Sequence, residues 1–182
     1  MVYKFKFRFE KIMNEEQEEK PSKIIKKDKN IYSINEDDNT LSVIGSESID
    51  GEIIIPRSIT MQTKEYIITN ISKCAFKFSK IKSFKFSVFS EIQTIEQEAF
   101  LGSSIESFTI PDHLTQIDEC AFRLCEQLHT IEISQFSELK RIEKEAFYKT
   151  SIERFTIPPH LTYIGENAFG CCKKLHTVEI PE

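Results

Sequence analysis

The chain has 182 residues, with 24 Lys and Arg against 29 Asp and Glu, and its formal net charge of −5 leaves no cationic excess. This length suggests one domain, and the charge balance argues against a dominant nucleic-acid role, which needs clustered positive charge to neutralise phosphates. With 40% apolar residues and only 5 Gly and 6 Pro, a packed core is expected and wholesale disorder is excluded.

Residues 1–30 stand apart. Lys4-Phe5-Lys6-Phe7-Arg8-Phe9 alternates like a strand, whereas Asn14 to Lys29 is mostly charged, a linker composition. The segment is expected to be a mobile linker, with a folded partner-binding arm as the alternative. Charges alternate with apolar residues near Met1, and no apolar run approaches the roughly 18 residues of a membrane helix, so neither a signal peptide nor a span is visible in the sequence. Residues 31–70 read as a cap. Ile31 to Ile34, the polar turn Asn35 to Asn39, and Thr40 to Ile44 predict a β-hairpin. A degenerate first coil then follows from Gly51-Glu52-Ile53-Ile54-Ile55-Pro56, with an insertion around Met61 to Ile68.

Residues 71–182 are internally repetitive. An Ala-Phe pair recurs at Ala75-Phe76, Ala99-Phe100, Ala121-Phe122, Ala146-Phe147 and Ala168-Phe169, in steps of 24, 22, 25 and 22 residues, within the leucine-rich-repeat range. An Ile precedes each Ala by four positions (Ile71, Ile95, Ile117, Ile142, Ile164), a spacing that predicts a short turn or helical turn with three apolar groups on one side. Downstream come Ile81, Phe84, Phe86; Ile105, Phe108, Ile110; Leu128, Ile131, Ile133; Ile152, Phe155, Ile157; and Leu175, Val178, Ile180. Each set ends in the period-two alternation of a half-buried strand. Such units bury their apolar sides only by stacking, so the expectation is a solenoid of five coils, the last incomplete.

These strings resemble the BspA-like class of leucine-rich repeats, found in bacterial surface proteins and expanded in some parasitic protists. The match runs from about residue 49 to 182. The resemblance implies a leucine-rich-repeat solenoid, with short parallel strands forming one concave sheet, turns or helical turns on the convex side, and an N-terminal hairpin cap. It also implies cell-surface location and adhesion to host or matrix proteins. One departure concerns the ladder Asn of the general consensus, whose place holds Phe89, His113, Phe136 and His160; the turn after each strand must satisfy its backbone otherwise.

The reactive residue types fall into repeat slots. Cys125 and Cys172 occupy a small-residue slot shared with Ser79, Ser103 and Thr150, and Cys74 and Cys120 share another. Slots two coils apart place Cα atoms roughly 10 Å from each other at the strand spacing, beyond disulfide reach, so free structural thiols are expected. His113 pairs with His160 by repeat, and His129 with His176, without Zn-ligand spacing. No metal or cofactor site, catalytic triad or phosphate loop is read from the sequence, and a non-enzymatic protein is expected. Glu98, Glu119 and Glu145 flank the Ala-Phe turns as a solvated rim.

Stacking in register aligns Lys82, Glu106, His129, Glu153 and His176 in one outward column and Lys85, Thr109, Glu132, Thr156 and Glu179 in a second, with Arg154 between them. These are the candidate partner-binding residues, and His129 and His176 beside Glu132 and Glu179 predict pH sensitivity. The reading is a protein-binding module with an unidentified protein ligand, either a surface adhesin or antigen. The alternative is an intracellular scaffold, which the invisible signal peptide and free thiols favour. Because Ile180-Pro181-Glu182 follows a strand without closing a coil, the expectation is either a fragment of a longer array or self-association through the C-terminal coil.

Overall fold

The computed structural model describes residues 23–47 and 50–180. Its strands are β1 (Lys23–Lys27), β2 (Asn30–Asn35), β3 (Thr40–Ser46), β4 (Asp50–Ile55), β5 (Ser58–Met61), β6 (Lys64–Ile71), β7 (Lys80–Phe86), β8 (Thr94–Ile95), β9 (Ser107–Ile110), β10 (Gln116–Ile117), β11 (Thr130–Ile133), β12 (Arg141–Ile142), β13 (Arg154–Thr156), β14 (Tyr163–Ile164) and β15 (Thr177–Glu179). No helix occurs among the described residues. The chain winds as a β-solenoid.

The alternating apolar motifs become the first ladder. β4, β7, β9 and β11 pair in parallel in that order, and β13 pairs with β15. Ile81, Phe84, Ile105, Phe108, Ile152 and Phe155 point into the core, as a strand with one buried face requires. A second parallel ladder, which the sequence did not announce, joins β6, β8, β10, β12 and β14. Its two-residue strands end on the recurring Ile, so Ile71, Ile95, Ile117 and Ile142 stack as hydrogen-bonded neighbours and are buried. Such short strands carry no visible period.

The Ala-Phe segments are turns. In successive coils Cys74, Glu98, Cys120, Glu145 and Asn167 hold φ between 54° and 59°, as do Phe78, Leu124, Lys149 and Cys171 between 55° and 61°, with Gly102 at 64° in the same place. These left-handed residues rotate alternate N–H groups along the solenoid axis. Phe76 N donates to Ala99 O at 2.7 Å, Phe100 N to Ala121 O at 2.8 Å, Phe122 N to Ala146 O at 2.7 Å and Phe147 N to Ala168 O at 2.7 Å. Carbonyls of each turn thereby find donors one coil back, which meets the need to pair buried backbone groups.

The core runs along the axis. Phe76, Phe100, Phe122, Phe147 and Phe169 stack with centroids 5.3, 5.0, 5.2 and 5.3 Å apart and rings within 15° of parallel. Those spacings match the pitch of hydrogen-bonded strands, so ring contact and backbone pairing reinforce each other. Phe84 and Phe108 meet this stack edge-on, with Phe84 to Phe100 at 5.0 Å and Phe108 to Phe122 at 4.9 Å, the favoured geometry for aromatic quadrupoles.

At the N-terminal end, β2 and β3 form the expected antiparallel hairpin, and β3 joins β6 in parallel. β1 adds a third antiparallel strand; it lies within 1–30, where the composition pointed to a linker. Its Lys23, Ile24, Lys26 and Lys27 are exposed, and an edge strand bearing lysines resists further pairing. The Lys4–Phe9 stretch lies outside the described residues.

Candidate functional site

The first ladder turns one row of side chains outward. Main-chain bonds from Glu106 N to Lys82 O, His129 N to Glu106 O, Glu153 N to His129 O and His176 N to Glu153 O fix the first column in register, at 3.0 to 3.4 Å. Paired registers place Thr109 beside Glu132 and Thr156 beside Glu179, with Arg154 beside Thr177 in an intermediate row. All eleven candidate residues are exposed except Thr156 and Glu179, which are half-buried.

Cross-strand contacts organise this face. Lys82 pairs with Glu106 at 3.4 Å, Lys85 with Glu52, and Arg154 with Glu179 at 2.9 Å, so each of these cations already has a carboxylate. The Lys85 ammonium holds the Glu52 carboxyl below its usual range. Glu132 accepts a bond from Thr109 Oγ1 at 2.8 Å and has no ion-pair partner among the described residues, nor has Glu153. The face is therefore anionic. His129 Nδ1 contacts Gln127 O at 3.0 Å and His176 Nδ1 contacts Thr177 Oγ1 at 2.8 Å, so neither imidazole engages Glu132 or Glu179 as expected. The imidazole that meets a carboxylate is His113, 3.2 Å from Glu138.

The thiols serve the coil turns. All five cysteines are free. Cys125 Sγ donates to Phe100 O at 3.0 Å and Cys172 Sγ to Phe147 O at 3.1 Å, each reaching back one coil. Burial pushes the Cys125 thiol up to about 11 and also raises that of Cys120, the opposite of what a nucleophilic thiolate requires. Cys171 is exposed, with Sγ 3.4 Å from the Tyr148 hydroxyl. No group of three or more potential metal ligands occurs among the described residues, and no helix there is long and apolar enough to cross a membrane.

Beyond the strands, the turns at one margin frame a groove of about 440 Å³. Phe86, Val88 and Phe89 form one side, Ile110, Pro111 and His113 the other, with Lys85, Ser87, Thr109, Asp112 and Ser134 among the polar lining. Phe89 is 80% exposed and Phe136, in the equivalent turn two coils on, is 71% exposed. Three of the four turns lacking the ladder Asn close through their main chain, by Leu114 N to Pro111 O at 3.0 Å, Ser137 N to Ser134 O at 3.1 Å and Leu161 N to Pro158 O at 3.1 Å. The side chains at 89, 113, 136 and 160 are exposed. At the C-terminal end, Phe155, Ile157, Ile164, Phe169, Leu175 and Val178 line an apolar recess of about 120 Å³.

Residues 93–182 match the family described as BspA type leucine rich repeat region, in 6 copies. This part of the chain is a BspA-type leucine-rich-repeat array. Among solved structures, the chain is similar to a leucine-rich repeat protein from Bacteroides ovatus, at 29% identity and a TM-score of 0.74 over 86% of this chain and 41% of that one. The pneumococcal vaccine antigen PcpA is similar at 24% identity and a TM-score of 0.72, over 88% of this chain and 50% of that one. The T. pallidum leucine-rich repeat protein aligns at 21% identity and a TM-score of 0.75, over 86% of this chain and 71% of that one. The chain thus spans half or less of the length of the first two. No curated protein matches it by sequence.

Along the solenoid the strand-face residues were legible from period and register, whereas the groove was not. Its signal was nevertheless present, as Phe89 and Phe136 at a place the consensus gives to a buried polar residue. Their meaning required the structure, in which both side chains are exposed.

Proposed function

We propose that the chain is a non-catalytic protein-binding module whose outward strand columns form the contact surface. The supporting observation is the anionic face, its first column held by main-chain bonds, carrying Lys82, Glu106, His129, Glu153, His176 and Lys85, Thr109, Glu132, Arg154, Thr156, Glu179. A solenoid supplies an extended rigid surface of this kind. Rows of polar groups on a hydrogen-bonded backbone suit a wet interface with a salt-dependent association rate. The likeness to a protein described as a vaccine antigen favours a cell-surface adhesin or antigen over an intracellular scaffold. Labelling of intact against permeabilised cells separates those two.

The test of the binding surface is capture of a protein ligand with the intact chain, followed by charge reversal. Glu132→Lys and Glu153→Lys are expected to weaken capture, and Glu119→Lys on the turn side to leave it unchanged. Glu98 and Glu145 are poorer controls, since they pair with Lys77 and Arg123 of the preceding coils. The reverse pattern would place the working surface on the turns. A second contact, between copies, is supported by the apolar C-terminal recess; Val178→Glu is expected to abolish any self-association seen by sedimentation.

A further inference from the structure

The groove beside the strand face is built for one kind of group, and its spent and unspent valences say which. Its apolar walls are Phe86, Val88, Phe89, Ile110 and Pro111, and at about 440 Å³ it lies within the range of pockets that hold small ligands or anchoring side chains. Val88 and Phe89 are among the most exposed large apolar residues described, at 76% and 80%. Exposed aromatic groups next to a recess are what binding hot spots use, and the strand columns contain none.

The polar lining is one-sided in charge. The cation in the lining, Lys85, is neutralised by Glu52, and His113 is engaged by Glu138. The Asp112 carboxylate lacks an ion-pair or hydrogen-bond partner among the described residues, and its main-chain oxygen alone is used, by Glu138 N at 2.7 Å. Thr109, also in the lining, donates to Glu132, which brings a second unneutralised carboxylate to the groove edge. Ser87 Oγ is buried without a partner. An occupant must therefore bring an apolar group to the Phe89 and Pro111 walls and a cation to Asp112 and Glu132.

From this geometry we propose that the groove is the docking site for an extended segment of a partner protein in which an aromatic or branched aliphatic side chain neighbours a lysine or arginine. Anchor and charge are close along the segment, because the apolar walls and Asp112 belong to the same pair of turns. The proposal rests on the protein-binding reading and specifies a subsite of it.

The experiment is fluorescence anisotropy of the full chain with three labelled synthetic peptides, one alternating lysine with phenylalanine, one glutamate with phenylalanine and one lysine with serine. The lysine and phenylalanine peptide is expected to bind saturably, at about 10 to 100 µM, and the other two about tenfold or more weakly. Phe89→Asn and Asp112→Lys are each expected to weaken binding about tenfold with an unchanged circular dichroism spectrum. Both side chains are exposed, and Asn is well suited to the left-handed φ of 60° at position 89. Equal binding of the lysine and serine peptide would reveal general attraction to an acidic protein and overturn the proposal. So would insensitivity to both variants, or no saturable binding. Glu119→Lys on the turn side is expected to leave peptide binding unchanged, and a captured protein that responds to Glu153→Lys but not to Phe89→Asn would refute the groove while sparing the strand face.

Discussion

Lys149 holds φ at 58° in a slot where another coil has Gly102 at 64°. For a side chain with a Cβ the left-handed region costs on the order of 1 kcal/mol or more, while glycine enters it freely at an entropic cost in the unfolded chain. The Lys149 N–H bond to Gly170 O, at 2.9 Å, survives replacement because it is main-chain. Lys149→Gly is therefore expected to raise stability by up to about 1 kcal/mol, seen as a higher urea midpoint at constant slope; a drop would mean that the slot does not govern the turn. Asp118 gives a second residue-level test. Its carboxyl is pushed above the ordinary value chiefly by burial, opposed by the Gln116 amide and assisted by Glu143. An acid whose folded pKa exceeds its unfolded value binds protons more tightly when folded, so its charge costs stability at neutral pH, and that cost vanishes as the pH falls below both values. Asp118→Asn keeps an acceptor for Gln116. It should be more stable than the parent at pH 7, by a margin that closes on acidification, as denaturant titrations at several pH values would show.

At the scale of elements, the phenylalanine stack ties turn to turn. Phe122 is fully buried between Phe100 and Phe147 and meets Phe108 at its edge, so Phe122→Ala leaves a cavity bounded by main chain held in two ladders. The expected loss is about 3 to 5 kcal/mol, measured by urea unfolding, and a loss below about 1 kcal/mol would contradict the register. This stack was legible in the sequence because Ala-Phe recurs at a nearly constant step, and the strand face followed from the period-two motifs downstream. The second ladder was not, since two residues such as Thr94-Ile95 or Gln116-Ile117 are too short to show alternation. Nor were the left-handed turns, because Glu98, Leu124 and Lys149 are not residue types that announce positive φ. The groove needed two turns from adjacent coils, Ser87 to Ser90 and Pro111 to His113, whose relative placement no single repeat encodes.

Across the whole molecule the hydrogen bonds run in two directions. Turn N–H groups donate toward the C-terminal end, as from Phe122 to Ala146, while the N–H groups flanking the two-residue strands donate toward the N-terminal end, as from Asp118 to Ile95. Each coil is thus fastened to both neighbours by opposed rows, and the stack behaves as a chain of nearest-neighbour interfaces. Side chains are consequently displayed on a backbone hydrogen-bonded to its neighbouring coils, and the strand face with its adjoining groove forms one anionic and apolar surface. The turn side carries ion pairs of its own, Lys77 with Glu98 at 2.6 Å and Arg123 with Glu145 at 3.0 Å. Hydrogen–deuterium exchange of the intact chain with and without a captured protein ligand tests this division most directly. Slowed exchange is predicted in residues 82–90, 106–113, 129–134 and 153–156; slowing confined to the turns at 74–78, 98–102, 120–124 and 145–149 would contradict it.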